Sequence, residues 1–214
     1  MNKISKRLES LASYVDVKDS IIDVGCDHGY LSIYLKENKL CKNIIASDVN
    51  KNALSSAINN IKNSKLDIDT YLSDGIKDVP MKGVNTLVIS GMGTSTIKHI
   101  LDDQSKLKHI NKLIIQSNND HMILRSFMND IGYYLSDEKA VYDKGKWYLT
   151  CLFIKSDKVN TKNQIEYGYL SDDMYNMHQI DELKRIIKKI PLFSSSRFKK
   201  CFELYKLKKA IRNR

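Results

Sequence analysis

Short apolar runs alternate with amphipathic segments up to position 131. The runs at 21–24, 43–47, 70–72, 86–89 and 112–115 are bounded by Gly, Asn or Asp, which is typical of strands. Apolar residues at helical spacing predict helices over 30–38, 51–62, 95–101 and 121–131, and an N-terminal helix that begins near Ser5. This alternation predicts an α/β fold with an open, mostly parallel sheet and helices on both faces.

The pattern changes after position 132. Two long runs, 133–142 and 146–155, flank Asp143-Lys144-Gly145 with no helix between them. A three-residue connection that contains glycine predicts an antiparallel hairpin, so the sheet should have seven strands and end in this hairpin. A nicotinamide-binding fold would more usually continue with strand, helix and strand, so the hairpin argues against a dehydrogenase.

The remainder of the chain has a different pattern. Residues 156–163 are polar and indicate a linker, and two helices are predicted over 172–190 and 194–212, joined at Pro191. We expect two apolar stripes to close this α-helical hairpin, which resembles a coiled coil. The stripes consist of Met174, Met177, Ile180, Leu183, Ile187 and Ile190, and of Phe198, Cys201, Phe202, Tyr205 and Ile211. The predicted domains are therefore 1–155 and 156–214.

Composition limits the class of protein. The chain has 214 residues, 42% hydrophobic and 28% charged, which suits one main domain and a small appendage. No apolar run approaches the roughly 20 residues of a membrane span, and the N-terminus lacks a signal-peptide core, so we expect a cytoplasmic protein. The four cysteines lie far apart and form no metal-ligand cluster, which favours idle thiols and no bound metal.

The positive charge is concentrated in the tail. Residues 1–155 carry 21 Lys and Arg against 18 Asp and Glu, whereas 156–214 carry 14 against 7. From Lys184 to Arg214 there are 12 basic residues and one acidic residue, Glu203. This density suits a polyphosphate backbone and predicts contact with nucleic acid. The alternative is a general excess of surface lysines, which does not explain the nearly balanced first domain.

The candidate chemistry lies just after the strands, because ligands of open parallel sheets bind beyond the carboxyl ends of the strands. The segments there are 23–29, Ser47-Asp48, Ser73-Asp74-Gly75, 90–93 and Gln116-Ser117-Asn118. Acidic groups at three adjacent strand ends would repel a phosphate, so the ligand should offer hydroxyls, an amine or a positive charge. S-adenosylmethionine has all three.

A cofactor pose follows from these positions. Asp48 is placed to accept hydrogen bonds from the ribose, and Asp74 from the adenine amine. Gly25 and Gly29 let the backbone pass beneath the methionine part, with Asp23 or Asp27 near its ammonium group. The alternative is that all of these are ordinary turn residues of a doubly wound sheet.

The same residues resemble the bacterial TrmK family of tRNA (adenine-22-N1)-methyltransferases. The likeness covers the first 155 residues in order, and the basic helical hairpin is similar to the family's coiled-coil appendage. It rests on Ser5-Lys6-Arg7-Leu8, the run 23–31 (DVGCDHGYL), Ser73-Asp74-Gly75, Gly91-Met92-Gly93, Gln116-Ser117-Asn118 and Gly145-Lys146-Trp147-Tyr148. Two positions depart from the pattern: Thr94 stands where glycine is usual and Ser117 where proline is common.

The resemblance implies a Rossmann-like class I methyltransferase fold that uses S-adenosylmethionine. A flipped-out adenine would attack the methyl group directly through N1, whose lone pair carries no proton at neutral pH, so no general base is required. Asp27, His28 and Asn118 are the polar groups expected near the reacting centre. The cofactor residues expected are Asp23, Gly25, Asp27, Gly29, Asp48, Asp74, Gly75, Gly91 and Met92.

The resemblance also implies a tRNA partner, and we expect a monomer with no membrane contact. The target base is expected near Gly93, with Tyr30 or Tyr148 stacked on it, and a phosphate near Lys6 and Arg7. Lys188, Lys189, Lys199 and Lys200 should contact the RNA from the appendage. Two alternatives stay open: a methyltransferase of another RNA or of a protein, and a non-catalytic RNA-binding protein with a vestigial cofactor site.

Overall fold

The computed structural model describes residues 4–214 and contains one seven-stranded sheet. Its strands are β1 (Ser20–Val24), β2 (Asn43–Asp48), β3 (Asp69–Leu72), β4 (Thr86–Met92), β5 (Lys112–Ser117), β6 (Tyr133–Asp143) and β7 (Lys146–Lys155). Their order is β3-β2-β1-β4-β5-β7-β6, in which β7 pairs antiparallel with β5 and with β6 and the other neighbours are parallel. The predicted parallel sheet with a closing hairpin is therefore confirmed.

Helices cover both faces of the sheet. One face packs against α1 (Lys6–Ala12), α2 (Tyr30–Glu37) and α3 (Lys51–Asn63), and the other against α4 (Thr94–Ile100) and α5 (His121–Asp130). Each face has its own buried apolar cluster. Ile21 belongs to the cluster under α1, α2 and α3, and Ile22 to the cluster under α4 and α5, because successive side chains of a strand point to opposite faces. The bounds agree with the sequence pattern to within a few residues.

The topology places a crevice at the carboxyl end of β1. This strand pairs with β2 on one side and with β4 on the other. The chain runs from β1 to β2 and β3 on one side, and then crosses back to β4 on the other side of β1. The loops after β1 and β4 therefore separate and leave space between them. The strand ends predicted to carry the chemistry meet at this edge.

Residues 156–161 have no regular secondary structure, as predicted for a linker, but the segment is held to the first domain and its last two residues are helical. Asn160 is buried, and its Oδ1 accepts a hydrogen bond from the Leu135 N–H at 3.1 Å. A helix, α6 (Lys162–Tyr167), begins within the segment. Thr161 and Gln164 form a capping box at its start, a signal that a reading for polarity alone overlooks.

The appendage continues with α7 (Asp173–Lys189) and α8 (Ser195–Arg212), which confirms the predicted helices. The stripe predicted for α8 is confirmed only at Ile211, which packs with Leu204 and Leu207 in the cluster that contains Ile180 of α7. The other predicted side chains of α8 are exposed, namely Phe198, Cys201, Phe202 and Tyr205, as are Met174 and Met177 of α7. Helix α8 therefore carries two apolar stripes at helical spacing, an aromatic one that is exposed and an aliphatic one that α7 covers.

A buried ion pair joins α5 to β6, and the appendage packs against it. The Arg125 Nε and Nη2 donate to the same Glu138 Oε2, at 3.0 and 2.6 Å, and both side chains are almost fully buried. Gly168, just after α6, lies against this pair with φ +75°, and a Cβ there would come within 2.2 Å of Glu138 Oε1. The absence of a side chain at this position lets the appendage reach the pair.

None of the helices within residues 4–214 combines the length and the hydropathy that a membrane span needs. Cys26, Cys41 and Cys151 are buried and Cys201 is exposed, all as free thiols.

We predict that Glu138→Ala lowers the free energy of unfolding by about 3–5 kcal/mol, because it leaves the Arg125 guanidinium buried without its partner. Urea denaturation measures the loss. Glu182→Ala, which removes an exposed carboxylate from α7, is the control and should change stability by less than about 0.5 kcal/mol. A loss below about 1 kcal/mol for Glu138→Ala would show that the buried Arg125 guanidinium does not need this partner.

Candidate active site

The loops after β1, β2, β3 and β4 line one cleft of about 400 Å³. It contains eight of the nine residues predicted to bind a cofactor: Asp23, Gly25, Asp27, Asp48, Asp74, Gly75, Gly91 and Met92. Arg7 of α1 and Tyr30 of α2 complete the wall. The structure thus brings together residues that the sequence distributes over about a third of the chain.

The glycines after β1 allow two close approaches. Gly25 has φ +72° and donates its N–H to the Ser47 carbonyl at 2.8 Å, and a Cβ there would lie 2.1 Å from Met92 Cε. Gly29 has the same φ and lies against Ala57 of α3. Any larger residue at position 25 would displace Met92 from the floor of the cleft.

Asp48 holds the loop after β1 in place. Its Oδ2 accepts the Asp27 N–H at 3.0 Å and its Oδ1 accepts the Asn50 N–H at 2.8 Å. The carboxylate is largely buried, whereas the side chain of Asp27 is exposed at the cleft. Carboxylate oxygens have further lone pairs, so Asp48 retains acceptor capacity for a ligand.

Asp23 is a buried carboxyl group at the base of the cleft. Burial raises its pKa to about 6. A 2.7 Å hydrogen bond from Ser32 Oγ opposes this rise, the nearby Asp48 adds to it, and Arg7 offsets part of it. The charged form therefore has too little compensation within the protein, which suits a cationic group on a ligand.

Asp74 has a partner that the sequence did not reveal. Its Oδ2 lies 3.5 Å from Nε2 of His99 on α4, and both side chains are more than half exposed. The adjacent Gly75 has φ +62°, and a Cβ there would be 2.9 Å from Ile100. The loop after β3 is thus packed on α4, and no local motif could have indicated the contact with His99.

His28 and Tyr30 lie at the mouth of the cleft. Their rings stack with centroids 5.5 Å apart, and His28 Nε2 is 3.7 Å from Asp27 Oδ1. The His28 carbonyl accepts a hydrogen bond from Asn60 Nδ2 at 2.9 Å. These contacts hold the backbone of the turn and leave the imidazole partly exposed.

Arg7 connects the cleft with a larger neighbouring cavity of about 740 Å³. Its guanidinium lies 5.5 Å from the centroid of the Tyr148 ring, and its backbone N–H donates to Asp143 Oδ2 at 3.3 Å. Tyr30 also borders both spaces. Lys6 is exposed and lines neither of them.

Asn118 lies beside the cleft and not in its wall. Its Nδ2 donates to the Gly91 carbonyl at 2.8 Å, close to the irregularity in β4 between Ser90 and Met92. Gly93, the N-cap residue of α4, is likewise outside the lining.

The two departures from the family pattern contact each other. Thr94 and Ser117 are both buried, and their hydroxyl oxygens are 2.9 Å apart. Thr94 Oγ1 also donates to the Asn119 carbonyl at 2.7 Å. Neither residue lines the cleft or its neighbouring cavity. Their hydrogen bonds join the start of α4 to the end of β5 and the loop after it.

The four lysines predicted for the appendage are separate from the cleft. Lys188, Lys189 and Lys199 are exposed, while Lys200 is paired with Glu203 at 2.7 Å.

Sheet order, crevice and acidic strand ends define a Rossmann-like domain built to hold a nucleoside with hydroxyl, amine or cationic groups. The family model described as a methyltransferase domain matches residues 4–150, and the chain belongs to this family.

Two curated relatives are similar in sequence. The tRNA (adenine(22)-N(1))-methyltransferase of Bacillus subtilis is 31% identical over 149 residues, which are 68% of this chain and 63% of the relative. Mycoplasma genitalium MG248 is 32% identical over 145 residues, 66% of this chain and 65% of the relative. The aligned part thus spans slightly less than two thirds of either relative.

Solved structures match over nearly the whole chain. Mycoplasma capricolum TrmK in complex with S-adenosyl-homocysteine aligns with a TM-score of 0.85 and 27% identity over 99% of both chains. Streptococcus pneumoniae Sp1610 in complex with S-adenosyl-L-methionine aligns with a TM-score of 0.89 and 26% identity over 98% of this chain and 100% of that chain. The resemblance to the TrmK family is confirmed.

We predict that Asp23→Asn stabilises the protein by about 2–3 kcal/mol near neutral pH and has little effect near pH 4. The native carboxyl has a pKa of about 6 and an unfolded one about 3.9, so ionisation of wild-type Asp23 costs stability progressively between these values. Asparagine removes this cost and can keep the hydrogen bond from Ser32.

Urea denaturation at both pH values, with exposed Asp67→Asn as control, measures the difference. If Asp23→Asn were less stable than wild type at neutral pH, ionised Asp23 would not destabilise the folded protein as we infer.

Proposed function

We propose that the protein methylates N1 of adenine 22 in tRNA and uses S-adenosylmethionine as the methyl donor. The observation that carries this proposal is the convergence of Asp23, Asp48 and Asp74 on one cleft with Arg7 at its entrance. The relatives named above support the tRNA substrate and the position of the base.

The residues of the cleft fit this cofactor. Asp23, whose negative charge lacks compensation, suits the ammonium of the methionine part. Asp48 retains lone pairs for the ribose hydroxyls, and the exposed Asp74 can accept from the adenine amine. Gly25, Gly75 and Gly91 line the cleft with backbone, and a Cβ at each would meet another residue of the same wall. Gly29 lies outside the lining, against Ala57 of α3.

When bound, S-adenosylmethionine supplies a methyl group on a sulfonium, and the unprotonated N1 of adenine is the nucleophile that takes it. No side chain needs to remove a proton from N1. The protein therefore acts by positioning, which can supply several of the roughly 7–11 kcal/mol available from proximity and orientation. The exposed carboxylate of Asp27, with His28 beside it, favours the positive charge that develops on the base.

The flipped adenine must form contacts that offset the few kcal/mol that unstacking costs. Tyr30 and Tyr148 provide aromatic faces at the entrance, and Gly91, Met92 and Gly93 provide backbone and a soft side chain. Asn118 donates one N–H to the Gly91 carbonyl beside the cleft, and we assign its acceptor atom, Oδ1, to the amino group of the base.

We assign cofactor binding and methyl transfer to residues 1–155 and the main phosphate contacts to 156–214. The exposed Lys188, Lys189 and Lys199 are free to meet phosphates directly, and Lys200 would exchange its ion pair with Glu203 for one. Arg7 lines the cleft and can hold a phosphate next to the target nucleotide, and the exposed Lys6 precedes it in α1.

Methylation of unmodified tRNA transcripts tests the activity. We expect 1-methyladenosine in the digested product and none from a transcript with guanine at position 22. Asp48→Ala should abolish transfer and calorimetric binding of S-adenosylhomocysteine, because it removes a ligand acceptor and the support of Asp27.

Exposed Asp67→Ala is the matched control and should behave as wild type. A different methylated nucleoside, or a methylated protein in its place, would reject the tRNA assignment. Cofactor binding without any methylation would favour a non-catalytic RNA-binding protein.

The appendage lysines set the salt dependence of tRNA binding. Changing Lys188, Lys189, Lys199 and Lys200 to glutamine should lower the slope of log affinity against log salt by roughly 0.7–0.9 for each phosphate that the variant no longer neutralises. The control replaces four exposed lysines that precede the parallel strands and face away from the cleft: Lys18, Lys42, Lys82 and Lys108. It removes the same charge, so equal slopes for the two variants would disprove a specific role of the appendage.

A further inference from the structure

The hairpin β6–β7 carries an aromatic cluster on the sheet face opposite to Arg7. The Trp147 ring is 5.3 Å from Tyr142, 5.5 Å from Tyr175 and 6.0 Å from His178, measured between ring centroids. The cluster borders a cavity of about 450 Å³ between the hairpin and α7. The proposed methyl transfer uses none of these side chains.

This cavity is open to solvent. Tyr142 is 52% exposed, Met174 is 74% exposed, and no atom lies within 4 Å of a Cβ built on Gly145. Tyr142, Trp147 and His178 are three of its seven lining residues, and stacking on such rings is the usual way in which proteins bind unpaired bases. These rings suit a planar, aromatic ligand.

The hairpin turn connects this cavity with the larger cavity beside the cleft. Lys144 borders the larger cavity and Lys146 borders the aromatic one, and both are exposed. Adjacent residues of a strand point to opposite faces, so Tyr148 lies against Arg7 while Trp147 lies against α7. One strand of RNA can therefore cross the turn, with phosphates near the two lysines.

We propose that the Trp147 cavity binds an unpaired base of an RNA strand that crosses the hairpin turn. The inference rests on the proposed RNA substrate. Glu182, which lies 3.9 Å from His178, lines the same cavity and repels phosphate, so a base and not the backbone enters. The basic surface of the appendage disfavours a second copy of this chain, because both copies carry the same charge.

Tryptophan fluorescence tests the proposal, because Trp147 is the only tryptophan of the chain. The full-length protein is titrated with a short oligouridylate and with a blunt RNA duplex of equal length. We expect saturable quenching by the single strand and no quenching by the duplex, whose bases are already stacked. Anisotropy of labelled RNA confirms that both are bound.

Affinity measurements on variants complete the test. Trp147→Ala should weaken binding of the single strand by roughly 5- to 100-fold, Tyr142→Ala should weaken it less, and Trp147→Phe should retain most of the affinity. The control is Val17→Ala, an exposed apolar position ahead of β1. Unchanged thermal midpoint and unchanged S-adenosylhomocysteine affinity establish that Tyr142→Ala is folded, should Trp147→Ala fail to fold.

Three results would overturn the proposal: unchanged fluorescence with RNA bound, equal quenching by the duplex, or wild-type affinity in both Tyr142→Ala and Trp147→Ala. Quenching that depends on protein concentration without RNA would assign the cavity to self-association instead. If the wild-type protein does not methylate tRNA but the single strand still quenches Trp147, the proposed function fails and the base-binding cavity does not. The two failures are therefore distinguishable.

Discussion

The carboxylate of Asp48 joins the loops after β1 and β2, and the cleft depends on this connection. Each oxygen accepts one backbone N–H, from Asp27 and from Asn50, in the geometry of charge-assisted hydrogen bonds. These bonds hold Asp27 in a left-handed conformation, with φ +52°, at the edge of the cleft. The carboxylate to which we assign ligand contacts therefore also supports the loop at the edge of the cleft.

Asp48 stabilises the loops of the cleft, whereas ionised Asp23 destabilises the folded chain. It is buried, its pKa is raised to about 6, and a single hydroxyl of Ser32 donates to it. A carboxylate in this environment is unfavourable for the folded chain alone and becomes favourable when a cation lies beside it. Perturbed groups of this kind are expected at functional clefts, where ligand binding offsets a local loss of stability.

Much of the fold and of the cleft could be predicted from the sequence. The strands and helices follow from periodicity and turn residues within short windows, and the closing hairpin from Asp143-Lys144-Gly145. Asp23, Asp48 and Asp74 could be grouped because parallel strands bring their carboxyl ends to one edge. These inferences succeed because each needs only local pattern and the general geometry of a wound sheet.

The sequence by itself thus determined the order of the elements and the residues at the strand ends, since both are encoded locally. Only the tertiary structure decided which stripe of α8 is buried, because two stripes have equal spacing and α7 selects one. It also decided that Thr94 contacts Ser117, that His99 approaches Asp74 and that Trp147 faces α7. Such contacts join residues distant in the chain, and their partners depend on how packed elements meet.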